Sequence, residues 1–84
     1  MSTTAATERV VLGVLAEAGD MLTPEPQLLR EANFQSATPI TRADLKAVLG
    51  RLEARQQVIG ISGDDFTKWK ISANGKARLA EANL

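Results

Sequence analysis

Apolar residues recur along this chain with a helical period in four places and with an alternating period in one. From about Ala5 to Ala18, Val10, Val11, Val14, Leu15 and Ala18 fall within one stripe at 100° per residue, and Gly19 follows as a left-handed stop. Leu12 points the other way, with Ala5, Arg9 and Ala16, and reads most simply as a scattered exposed apolar residue, otherwise as the centre of a small contact. Thr23 and Pro24 predict an N-cap and a first-turn proline for a second helix to about Ala32, with Leu28, Leu29 and Ala32 inward. Asn33 to Ile40 has no clear period and predicts a loop from which Phe34 and Ile40 dip into the core. Thr41 and Asp44 then form a weak capping box for the strongest helix. Leu45, Val48, Leu49 and Leu52 are its inward stripe, and it should end near Gln56.

Val58–Ser62 and Phe66–Ile71 are rich in branched and aromatic residues and flank Gly63, Asp64 and Asp65, which predicts a hairpin. Ile59 and Ile61 share one face. Thr67, Trp69 and Ile71 share a face of the return strand while Phe66, Lys68 and Lys70 take the other, so the hairpin should set one apolar side on the helices. Trp69, the only tryptophan, reads as a packing anchor. Ser72 or Asn74 can cap a last helix with Leu79, Ala82 and Leu84 inward. The fold class is mainly α with a small β-hairpin (α+β), ordered helix, helix, helix, hairpin, helix. Its 84 residues suit a single domain, residues 1–84, with residues 1–6 a flexible N-terminus.

Several passages resemble winged helix-turn-helix proteins, in which a third helix is presented outward and the hairpin is the wing. Leu45, Leu49, Leu52, Glu53, Val58 and Ile59 are similar to the recognition-helix-to-strand passage of MarR-like and PadR-like families. Ile71-Ser72-Ala73-Asn74-Gly75-Lys76-Ala77-Arg78-Leu79 is similar to their post-wing pattern. The resemblance spans roughly Thr7 to Leu79 and implies a DNA-binding fold. Three features depart from it. Asn33 to Ile40 is longer than the usual turn, Gln56 and Gln57 stand where glycine is common, and Asp64 and Asp65 place acid at a wing tip where DNA-gripping wings carry cations.

Charge and chemistry narrow the function. Ten basic and ten acidic residues cancel, but residues 1–33 carry two basic and five acidic groups, net −3, against eight and five, net +3, in residues 34–84. The chain is therefore dipolar, with its cations in the half holding the third helix and hairpin. With no histidine and no cysteine, the commonest general base, thiolate chemistry and the usual zinc sites are excluded. Asp64 and Asp65 lack the spacing of a calcium loop, and Gly60 to Gly63 lacks the lysine and following helix of a phosphate loop. We expect no catalytic residues, no metal and no cofactor, and hence no enzyme. No apolar run can span a membrane and nothing resembles an export signal, so a cytoplasmic protein is expected.

On the third helix, Ala43, Ala47, Gly50 and Ala54 lie opposite the leucine stripe. Arg42 and Lys46 flank that ridge on one side, Arg51 and Arg55 on the other. Two functions fit. In the first, a small transcriptional regulator binds double-stranded DNA: Arg42, Ala43, Lys46 and Ala47 face the major groove, Arg51, Arg55, Lys68 and Lys70 contact phosphate, and a homodimer supplies enough interface. In the alternative, the ridge of Ala43, Ala47, Gly50 and Ala54 docks a protein partner and no DNA is bound.

Overall fold

The computed structural model describes residues 4–82. Its elements are α1 (Thr4–Ala18), β1 (Thr23–Pro24), α2 (Glu25–Gln35), α3 (Arg42–Ala54), β2 (Val58–Ser62), β3 (Thr67–Ile71) and α4 (Ala73–Ala82). The predicted order holds, with one strand added. β1, β3 and β2 form an antiparallel sheet in that order. The expected flexible terminus overlaps the first turn of α1 at residues 4–6, and residues 1–3 lie outside the described residues.

α1 runs through the middle, packing on α2, α3, α4 and β3. That position explains Leu12. It is not on an exposed side but fully buried, beside Val11, Val14 and Leu15, because a helix contacted from several directions buries more than one stripe. Gly19 closes α1 at φ +66°, its N–H donating to the carbonyls of Leu15 and Ala16.

Thr23 does not cap α2. It is buried and paired with Trp69, with Pro24 opposite Lys68, so the two residues extend the sheet before the chain turns. Pro24 is the N-cap without a side-chain bond, and Pro26 is the proline of the first turn. α2 also outruns its predicted end at Ala32 by three residues. Asn33 locks this extension: its side chain accepts from Ile40 N–H at 2.7 Å and donates to the Ile40 and Leu29 carbonyls at 3.0 Å. The clamp folds the loop back and buries Ile40, as expected, while leaving Phe34 88% exposed rather than in the core.

The capping box of α3 is complete. Asp44 N–H donates to Thr41 Oγ1 and Thr41 N–H to Asp44 Oδ2. The helix stops at Ala54, two residues short of Gln56, because Gln56 takes the left-handed conformation at φ +62°. Gln57 N–H reaches the Leu52 carbonyl and Gln56 N–H the Glu53 carbonyl, a glycine-type helix stop built with glutamine.

In the hairpin, Val58 faces Ile71, Gly60 faces Trp69 and Ser62 faces Thr67, which places Val58, Trp69 and Ile71 on the core side. Ile59 and Ile61 pair with Lys70 and Lys68 on the outer side, 41% and 48% exposed, so the isoleucines do not supply the hairpin's apolar side. Trp69 is 7% exposed and is the anchor predicted, with Nε1 donating to Glu25 Oε1 at 3.1 Å. Ser72, not Asn74, caps α4: its Oγ accepts from Gly75 N–H and donates to the Gln56 carbonyl. Leu79 packs on the core. The Ala82 side chain and Leu84 lie outside the described residues.

Candidate nucleic-acid interface

The expected interface starts from α3, whose core side chains Leu45, Val48, Leu49 and Leu52 seat it on the molecule. Its other residues are exposed, including Arg42, Ala43, Lys46, Ala47, Gly50 and Ala54. The small-residue ridge is therefore present on an open face. Arg42 and Lys46 form no salt bridge among the described residues.

These two cations line a groove of about 530 Å³ between α2, α3 and the hairpin tip. Arg30 of α2 lines it too, as do Asp65, Phe66 and Thr67 from the tip. Arg30 was missed in the sequence because only the inward stripe of α2 was followed. The acidic tip and the α3 cations thus border one opening. Lys68 and Lys70 lie on the hairpin's outer side, across from Ile61 and Ile59, and do not line the groove.

Arg51 and Arg55 have a different setting. Both reach back to Glu8 of α1, Arg51 Nε to Oε2 and Arg55 Nη1 to Oε1, each at 3.2 Å. Arg78 of α4 joins them, with Nη2 2.9 Å from Oε1 and Nη1 donating to Gln57 Oε1. The Glu8 side chain is only 4% exposed, whereas the three arginines are 43%, 52% and 32% exposed. Burial opposes the charged carboxylate, but the hydrogen bonds from Arg78 and Arg51 and the charges of Arg78 and Arg55 outweigh it. The carboxyl is held below its ordinary pKa. This cluster ties α1, α3 and α4 together. Sequence reasoning missed it, although Glu8, Val11, Leu12 and Leu15 are spaced i, i+3, i+4 and i+7 along one buried stripe.

Among the described residues no group of histidine, cysteine, aspartate or glutamate is placed to hold a metal ion, and no helix is long and apolar enough to cross a membrane.

No family model matches the chain, and no curated protein matches it in sequence. Solved structures do. A winged-helix DNA-binding protein from STIV superposes with a TM-score of 0.79 at 14% identity, covering 99% of this chain and 87% of that one. A PadR family transcription regulator from hypervirulent Clostridium difficile superposes with a TM-score of 0.76 at 11% identity, covering 92% and 82%. Identity this low establishes architecture only. With three helices, a wing hairpin packed on them and a closing helix, the chain has the winged-helix fold.

Proposed function

We propose that this winged-helix domain binds duplex DNA with α3 in the major groove and acts as a small cytoplasmic regulator of transcription. The observation that carries this reading is the open face of α3, where Arg42 and Lys46 have no ion-pair partner among the described residues and stand beside the low ridge of Ala43 and Ala47. Small side chains let a helix sit deep and touch thymine methyls, while flanking cations reach guanine edges or phosphates. Lys68 and Lys70 of the wing would contact phosphate. The two structural neighbours, named for DNA binding and transcription regulation, support the reading at the level of fold. A single module buries only about 600–1,000 Å² on DNA, which favours a homodimer at the operator.

One observation favours a second reading. Asp64 and Asp65 are exposed at the wing tip, and Asp65 borders the α3 groove, where it would repel phosphate. A winged helix that docks a protein on the ridge of Ala43, Ala47, Gly50 and Ala54 would not meet that repulsion. Fluorescence anisotropy of a labelled mixed-sequence duplex at 50 and 200 mM salt separates the two. Phosphate contacts by Arg42, Lys46, Lys68 and Lys70 give a log–log slope near −3.6 and roughly a hundredfold loss of affinity. An absence of binding at 50 mM would instead select the protein-docking reading.

A further inference from the structure

Arg42, Lys46 and Arg51 of α3 and Arg55 at its C-cap fall into two pairs. Arg42 and Lys46 open onto the groove, whereas Arg51 and Arg55 are drawn to a carboxylate that belongs to α1. Glu8 lies along the buried stripe of α1 with its side chain only 4% exposed, so the carboxylate draws the arginines inward rather than sitting out in solvent with them. We infer that Glu8 is a positioning residue that occupies Arg51 and Arg55 in place of DNA phosphate, and so sets how much of the positive charge of α3 a duplex meets. This inference rests on the DNA-binding reading above.

The physical reason is competition between two anions for the same guanidiniums. Phosphate on a duplex is solvated and surrounded by mobile counterions, while Glu8 is held at 3.2 Å from both arginines with little water around it. Moving both side chains to DNA would leave the buried carboxylate with one of its three cationic partners, Arg78, and a buried charge that loses partners is destabilised. Arg78 cannot be recruited easily either, since it is also bound to Gln57 Oε1 at 2.8 Å. The consequence is selectivity. Sequence-independent affinity rises with every phosphate neutralised, so withholding two cations lowers binding to arbitrary duplex and leaves recognition to the N-terminal half of α3.

The test is the salt dependence of duplex binding by the full chain, for which the probe is a labelled mixed-sequence duplex. Glu8→Gln keeps the side chain's size and removes its charge. It is expected to steepen the log–log salt slope by about 1.8, equivalent to two further phosphate contacts, and to tighten binding at 50 mM. A purely structural role for Glu8 would not do this, because a loosened fold binds less at every salt concentration. Arg51→Gln combined with Arg55→Gln provides the second arm should Glu8→Gln fold poorly. It is expected to leave the wild-type slope unchanged. A slope flattened by about 1.8 in that double variant overturns the inference, as does an unchanged slope in folded Glu8→Gln. Either result leaves duplex binding itself intact. Failure of both wild type and Glu8→Gln to bind at 50 mM removes the DNA reading and this inference together.

Discussion

Leu12 sits at the crowded centre of α1 with no exposed surface, whereas Phe34 stands 88% in water near the end of α2. Burial rather than side-chain size decides what each contributes. Leu12→Ala is expected to cost about 2–5 kcal/mol, because it removes buried methyl groups and leaves a cavity between packed helices. Phe34→Ala should change stability by no more than about 0.5 kcal/mol. Chemical denaturation of the two variants checks both, and equal losses would contradict the packing described. Periodicity along one helix ranks residues around a single inward axis, so it located Val11, Val14 and Leu15 but could not register that α1 has neighbours on several sides. Glu8 was hidden for the related reason that its three partners come from α3 and α4, 43, 47 and 70 residues away in the chain.

At the scale of elements, signals that act within a few residues were legible. The Thr41–Asp44 capping box, the left-handed stop at Gly19 and the Ser72 cap are all short-range devices, and each appears where its residues stand. Elements that depend on distant pairing were not. β1 exists because Thr23 and Pro24 meet Trp69 and Lys68, and α2 runs on to Gln35 because Asn33 binds Ile40. The hairpin was readable as two strands with Trp69 as its inward anchor, but the inner face of β2 was not, since alternation alone does not tell whether Val58 and Gly60 or Ile59 and Ile61 face the helices. Register settles it. Gly60 lies under the Trp69 ring, where an added Cβ would stand 2.5 to 2.9 Å from Cζ3, Cη2 and Cε3. Gly60→Ala should therefore destabilise the domain by about 1–3 kcal/mol and alter tryptophan fluorescence. Wild-type stability and an unchanged emission spectrum would contradict the register.

Over the whole molecule, net charge is a poor guide to what a partner meets. The sum is zero, yet the helix expected to face DNA carries three cations and has a fourth, Arg55, at its C-cap. The fold then uses two of them internally, on Glu8, and leaves two beside a groove that also admits an aspartate from the wing. Residue types along α3 were enough to mark the candidate surface, but not to separate cations held by the protein from those open to a ligand. That separation depends on a tertiary contact between helices. The proposed interface is accordingly smaller and less basic than the sequence alone suggests. Binding should rest on the N-terminal half of α3 and the wing lysines.

If Arg42 and Lys46 meet the duplex, losing both should weaken DNA binding without touching the fold, which a comparison of wild type with the Arg42→Ala, Lys46→Ala double variant measures. Both side chains are exposed and form no salt bridge among the described residues, so thermal unfolding should be unaffected. Anisotropy titrations against salt should then show at least a tenfold weaker affinity at 50 mM and a slope flatter by about 1.8. Duplex affinity and salt slope equal to those of the wild type would show that Arg42 and Lys46 do not face DNA.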